Sequence, residues 1–493
     1  MRRIAIISFI VFMAFPTYAQ PQPMELSLED VIEMASLNSI DAFRIKNMYR
    51  ASYWEYRYYK ADRLPSLSLS ATPVSFYRSR DLEYDFDANQ YEYVQSKYLS
   101  SDVSLEINQN VALTGGNFFV STDLGRVKNM GSTETTSFQS TPISIGYEQY
   151  LTGYNALKWE AKIEPVKFEK AKKELIESLE SLSITAATKF FNLVDAQIQL
   201  KIAQNKLASN DTLYRLGKGR FQVGTVTQDD LLTLELELLR AKQSLNESNS
   251  EIQRAQADLN SFLGLDKATK ISCIVPYEVP DIQIDAATAI EQAMQNNHIT
   301  LYHQQQLLEQ DEAVAQAKAE SGFNTRIYAE YGLDQSSDKF ATVYNNPGDR
   351  QIVQVGLSIP IVDWGSNKGR YQMAQYTREV LRATVEQDRI DFEQELFQDV
   401  LEFNLQAEQV KTAGLADTVA NKGYEVALQR FLIGKVDVVK LNIARADLET
   451  ARRSHISAIR KYWNYYYTLR MKTLFDFVKN ETLTAEYDEI LKK

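Results

Sequence analysis

A single cysteine, Cys273, in a chain of 493 residues excludes an intrachain disulfide, so stability rests on packing. No cysteine follows the N-terminal leader to carry a lipid. Beyond that leader no window approaches the roughly 18 unbroken apolar residues that a membrane-crossing helix needs, so any crossing is left to strands. The leader itself, MRRIAIISFIVFMAFPTYAQ, carries two arginines, a short apolar run and Thr17-Tyr18-Ala19, and reads as a secretory signal peptide over residues 1–19.

Histidine is scarce as well. His298 and His303 are five residues apart with no third ligand nearby, and His455 falls on a hydrophobic seam, so no metal site is expected. No nucleophile constellation, phosphate loop or GxGxxG occurs, and the chain reads as neither an enzyme nor a cofactor-binding protein. Without Arg2 and Arg3 the 54 Lys+Arg fall to 52 against 65 Asp+Glu, an acidic, interspersed balance that argues against a nucleic-acid partner.

Proline is missing from residues 166–275 and again from 361 to the end. An interior proline costs a helix about 3 kcal/mol, so these two blocks are where very long helices are tolerated. The blocks also repeat each other. RFQVGTVTQDDLL from Arg220 is matched by RFLIGKVDVVKL from Arg430, an offset of 210 residues, and Gly146 in ISIGYEQY aligns with Gly356 in VQVGLSIP at the same offset. Farther upstream, Ile32-Glu33-Met34-Ala35 matches Ile290-Glu291-Gln292-Ala293 at an offset of 258, which leaves 48 extra residues (258 − 210) in the first half, between Ala61 and Gly146.

Each repeat opens with a helix, the first bearing a capping box at Ser27 and Asp30. Polar and apolar residues then alternate, as in Val103, Leu105 and Ile107 or Val353, Val355 and Leu357, the pattern of a strand with one apolar face. In an exported chain that is equally a barrel strand between lipid and water. Next, residues 155–222 and 365–433 read as helix almost throughout, each roughly 100 Å long at 1.5 Å per residue. Their return arms carry a seam at 3,4 spacing, from Leu231, Leu234, Leu238 and Ala241 to Leu259 and Phe262, with Leu441, Ala444, Leu448 and Ala451 at the equivalent second-half positions. That seven-residue period predicts left-handed coiled-coil packing. The repeated RFxxG stretches are then turns between outgoing and returning helices, with Gly224 and Gly434 in the left-handed conformation and Thr227 and Asp230 as a capping box.

Two repeats of helix, strands, long helix, RFxxG turn and return helix resemble, over essentially the whole mature chain, the TolC-like outer membrane efflux proteins. The resemblance implies a mainly α fold with a β-barrel contribution, in which two tandem repeats of long coiled-coil hairpins and membrane strands form a trimeric barrel and an α-helical tube. The first repeat would span residues 20–280, with strands at about 64–151 and a hairpin at 155–263 whose tip is 220–228. The second would span 281–493, with strands at about 325–362 and a hairpin at 365–471 whose tip is 430–438. The implied function is the exit duct of a tripartite efflux or type I secretion system in the bacterial outer membrane, its helices in the periplasm. Its implied partners are a periplasmic adaptor, an inner-membrane transporter and the outer-membrane lipid.

By the same resemblance Arg220, Phe221, Val223 and Gly224, with Arg430, Phe431, Ile433 and Gly434, would contact the adaptor. Asp229, Asp230, Asp437 and Lys440 would line the periplasmic entrance, with Asp230 helping to hold it closed. Lys440 departs from the pattern, because the family prototype carries an aspartate there. The extra first-half residues predict up to four strands, which either enlarge the barrel from about twelve to eighteen strands or form an extracellular hairpin. DLEYDFDANQYEYVQ, acidic and tyrosine-rich, is expected to be strand-poor and outside the cell. The competing class is a non-conducting exported trimeric coiled-coil fibre or adhesin, which predicts unbroken heptads and one anchor.

Overall fold

The computed structural model describes residues 23–85, 89–130, 134–151 and 153–492. The expected signal peptide, residues 1–19, lies outside them. The chain begins with β1 (Met24–Leu26), α1 (Leu28–Asn38) and α2 (Ile40–Asp62), then runs through four strands, β2 (Ser66–Asp85), β3 (Gln90–Val111), β4 (Gly116–Met130) and β5 (Glu134–Tyr150). The first long hairpin is α3 (Ala156–Gln222) and α4 (Gln228–Leu263). β6 (Ile271–Cys273) closes the first repeat, and the second follows with α5 (Ala286–Asn296), α6 (Ile299–Glu320), β7 (Asn324–Ser337), β8 (Gly348–Ser358), α7 (Ser366–Leu432) and α8 (Val438–Thr473). Short pieces complete the chain to residue 492.

The outgoing helices α3 and α7 are each 67 residues long and the return helices α4 and α8 each 36, so the 210-residue repeat recurs as equal elements. Pro165 sits near the start of α3, where the helix continues through it. The capping box at Ser27 is complete: its hydroxyl accepts from the Asp30 N–H while the Asp30 carboxylate accepts from the Ser27 N–H. The structure ends the second-half strands at Ser358 rather than 362, and Trp364 in the connection to α7 takes a φ of 53°.

Two compact units are formed by interleaved stretches of chain. One comprises residues up to Lys46, 176–293 and 395–485, and the other 47–175, 294–394 and the last few residues. The first unit is held by the coiled-coil seams. On α4, Leu234, Leu238, Ala241, Ala255 and Leu259 are buried, and on α8 Leu441, Leu448, Tyr462 and Leu469 are, in agreement with the seven-residue period. The aromatic run from Tyr462 is packing material: Tyr462, Trp463, Tyr466 and Tyr467 are buried, with successive rings edge-on at 5.2–5.5 Å.

The second unit contains one antiparallel six-stranded sheet in the order β2-β3-β4-β5-β7-β8, which the first repeat enters with four strands and the second with two. In the segment expected to be strand-poor the described residues are mostly strand: Asp81–Asp85 ends β2, Gln90–Gln95 begins β3, and Tyr84 pairs with Tyr91, while residues 86–88 lie outside the described residues. Its acidic residues obscure a period-two alternation of tyrosine and leucine, and aromatic cross-strand pairs stabilise a ladder whatever the intervening charge. Below the sheet Tyr49, Tyr53 and Tyr56 gather around Phe168, with the Tyr56 ring stacked on it at 4.5 Å.

Candidate functional site

Two places concentrate the residues singled out by sequence: the helical tips in the first unit and the faces of the sheet in the second. At both tips the outgoing helix ends in the same hydrogen-bonded turn. The Thr225 N–H donates to the Arg220 carbonyl at 2.9 Å and the Gly224 N–H to Phe221 at 3.0 Å; Lys435 donates to Arg430 at 2.9 Å and Gly434 to Phe431 at 2.9 Å. This is the Schellman arrangement, and it requires a left-handed residue, which Gly224 (φ 75°) and Gly434 (φ 74°) supply.

The tips differ in how the return helix starts. Thr227 caps α4, its hydroxyl accepting from the Asp230 N–H at 3.2 Å and donating to the Asp230 carboxylate at 2.7 Å. The reciprocal bond thus joins the two side chains instead of reaching the Thr227 backbone. Asp437 stands at the position of Thr227 and caps α8 by accepting from the Lys440 N–H at 2.8 Å. A carboxylate at that end complements the positive pole of the helix. Asp229, Asp437 and Lys440 are exposed and Asp230 is half-buried.

The expected adaptor-contact residues divide. Val223 (73% exposed), Ile433 (66%) and Phe221 (41%) present an apolar surface, with Arg430 exposed beside them. Phe431 is only 9% exposed and belongs to a core with Leu213, Leu234, Val438 and Leu441, which removes it from the contact surface. The reason is its place in the helix: it faces the other hairpin, where an aromatic side chain gains most from burial. Arg220 is likewise committed, its guanidinium donating to the Leu432 carbonyl at the end of α7 at 2.8 Å, so the two tips are tied to each other.

About three turns from the tips lies a polar contact that the sequence did not single out. Buried Arg445 on α8 donates to the Asn210 side-chain oxygen on α3 and to the Ser209 hydroxyl, while Asn210 donates to the Glu237 carbonyl at 2.9 Å. The first repeat has Glu235 where the second has Arg445, and that break in the repeat is the signal that marks it.

The two faces of the sheet differ in character. One face carries Leu67, Leu69, Val103, Leu105 and Ile107, continued in register by Val120, Ile145 and Val353. The other carries serines 66, 68 and 70, Glu106, Asn108 and Ser144, with ion pairs Arg326–Glu148 and Arg350–Glu330. A Cβ on Gly146 would collide with the ring of Phe119, so glycine at this repeated position lets the ring cross the strand. Among the described residues no group of His, Cys, Asp and Glu is arranged to hold a metal ion, and no helix is long and apolar enough to cross a membrane.

Residues 289–471 match the family model for outer membrane efflux proteins. No curated protein matches the chain. Among solved structures, the Campylobacter jejuni CmeC outer membrane channel is similar at 16% identity with a TM-score of 0.66, covering 94% of this chain and 88% of that one. VceC, an outer membrane protein of Vibrio cholerae, is similar at 13% identity and TM-score 0.62 over 91% and 95% of the two chains. The open state of the Neisseria gonorrhoeae MtrE outer membrane channel is similar at 13% and 0.61 over 93% and 91%. Residues 289–471 therefore carry the sequence pattern of outer membrane efflux proteins, and over nearly its whole length the chain shares the fold of these outer membrane channels.

Proposed function

We propose that the protein works as a homotrimeric exit duct in the outer membrane, taking cargo from a periplasmic adaptor and an inner-membrane transporter. The observation that carries the reading is the sheet: one face largely apolar, one largely polar, and, among the described residues, β2 and β8 each paired on one side only. Open edges are not tolerated in lipid, where each unpaired backbone group costs several kcal/mol. β2 runs from the helix end towards the loop end and β8 runs back, so β2 of one copy meets β8 of the next antiparallel. Three copies contributing six strands each close a barrel of eighteen, apolar outside and polar within. The first repeat's extra strands thus enlarge the barrel in this reading.

The exposed Val223, Phe221 and Ile433 are the surface offered to the adaptor, and the carboxylates of Asp229, Asp230 and Asp437 lie beside them at the entrance. Nothing in the chain suggests a nucleotide site, so the energy comes from the partner. Single-channel conductance of the detergent-purified protein in planar bilayers, with its mass in the same detergent, tests the reading. A trimer with discrete conductance that rises in Asp230→Ala is expected. A trimer that never conducts, even with Asp229 and Asp230 both changed to Ala, overturns it in favour of a structural fibre.

A further inference from the structure

The apolar face of the sheet is not uniform along its height. On β3 it runs from Ile107 to Leu99, eight residues or about 27 Å along the strand, close to the apolar band of a membrane barrel once the strand tilts. The next residue outward on that face is Lys97, paired with Arg78, and the next pair contains Arg80. On β4 the apolar residues stop at Leu124, and the following positions on the same face are Arg126 and Lys128.

The register shows that these five cations form one row. Arg126 lies opposite Ser101 and Lys128 opposite Leu99, so the row climbs from β4 to β2. The apolar band climbs in the same direction: it is centred on Val355 at β8, on Ile145 at β5 and on residues 99–107 at β3. Both slopes follow from strands inclined to one plane, so the cations lie at a single depth just beyond the apolar band. They lie at the loop end, away from the helices. At the helix end the same face carries Gln109, Val111, Gln149, Ile327 and Leu357 and no cation.

The row is also short of counter-charge. Lys128 is paired with Glu134 at 3.5 Å, but among the described residues Arg78, Arg80, Lys97 and Arg126 make no ion pair. In a chain of net charge −11 that concentration on one lipid-side surface is not a solvated average. Beyond the cations come Leu82, Tyr84, Tyr91 and Tyr93, exposed aromatic and apolar side chains suited to the faces of sugar rings.

We infer that this row is a docking surface for a phosphorylated glycolipid of the outer leaflet, with lipid phosphates between Arg78, Arg80, Lys97 and Arg126 and the sugars against the outer tyrosines. Guanidinium groups hold phosphate oxygens in pairs, and juxtamembrane Lys and Arg add attraction to anionic headgroups. The assignment rests on the barrel reading, which fixes that face towards lipid, and its test is independent of conduction.

The full-length protein in neutral detergent is titrated with fluorescent lipid A bearing two phosphates, with the same lipid after enzymatic removal of both, and with inorganic phosphate as competitor. The phosphorylated lipid is expected to bind at least ~10-fold tighter than the dephosphorylated one, a preference lost in R78Q/R80Q/K97Q/R126Q and kept in R78K/R80K/R126K. Heat-modifiable migration reports that each variant has folded; should the quadruple variant fail, the single changes R80Q and R126Q carry the same comparison. Equal binding of the two lipids, an unchanged preference in the Gln variants, or displacement by low-millimolar inorganic phosphate would each overturn the assignment. Conductance of the same preparations is read separately, so a wild-type protein that binds the lipid without conducting fails the duct and not the lipid surface.

Discussion

At the scale of single residues the tips depend on Gly224 and Gly434. Nothing lies within 4 Å of where a Cβ would stand on either, so replacing them meets a backbone penalty and no clash. A non-glycine residue in this conformation costs about 1 kcal/mol, less for asparagine, whose short polar side chain tolerates it. Gly224→Ala is therefore expected to raise amide hydrogen exchange of residues 220–230 about 5-fold while leaving the core of α3 protected, and Gly224→Asn to restore most of the protection. Equal exchange in the Ala variant and the wild type would mean that the turn is held by the neighbouring tip, through Arg220 and the Leu432 carbonyl, rather than by its own geometry.

At the scale of elements, α8 is locked to α3 by a buried charge network whose members respond to acid in opposite directions. Arg470 donates to Glu180 at 2.9 Å and to Asp476 at 3.1 Å. Burial raises the Asp476 carboxyl, but the Lys479 N–H, the Tyr466 hydroxyl, Arg470 and the Val478 N–H outweigh it, and the net shift is below its ordinary value. Burial raises Glu180 above its ordinary value despite the opposing pull of Arg470, and the nearby Asp476 carboxylate adds to the rise. Asp476 therefore contributes stability that is present above its unfolded value of 3.8 and lost as pH falls through its lower folded value. Glu180 contributes stability that is full below 4.5 and lost as pH rises through its higher folded value. Apparent Tm of the detergent-solubilised protein is thus expected to rise on mild acidification and to fall only below about pH 4. Glu180→Gln should flatten the rise, and Asp476→Asn should lower Tm at neutral pH, as removal of one buried partner costs about 3–5 kcal/mol.

Which elements were legible follows from how local their causes are. The four long helices, both turns and the α4 seam could be read because proline exclusion, a positive-φ glycine and a 3,4 spacing are properties of neighbouring residues. The outer ends of β2 and β3 were not, since Tyr84 and Tyr91 stabilise a strand only when they face each other, and the intervening carboxylates look like a loop until the pairing is known. The burial of Phe431 is not legible for a related reason. It shares the RFxxG pattern of Phe221, and the packing of one hairpin on the other makes one a core residue and leaves the other exposed. The Arg445–Asn210 contact has the same origin: it joins residues 235 apart, and neither side chain announces its partner.

At the scale of the whole molecule the decisive question is what covers the free edges of β2 and β8. A closed barrel of three copies predicts that the polar-face residues near the helix end of β2 meet those near the end of β8 in a neighbouring copy, side by side and antiparallel. Ser68→Cys combined in turn with Gln354→Cys, Gly356→Cys and Ser358→Cys places a thiol pair on one face at three registers, one of which brings the Cα atoms within the roughly 4–7 Å that a disulfide spans. The native Cys273 does not interfere, because burial pushes its thiol up to about 12 and so keeps it protonated and unreactive. Mild oxidation in membranes should give covalent dimers and trimers on denaturing gels for one register and little for the others. Ser104→Cys, one strand in from the edge, should give no interchain product with any of them, since its neighbour Ser70 lies in the same chain. Interchain bonds at none of the three registers would mean that β2 and β8 do not meet, and that the six strands are closed by some partner other than a second copy of this chain.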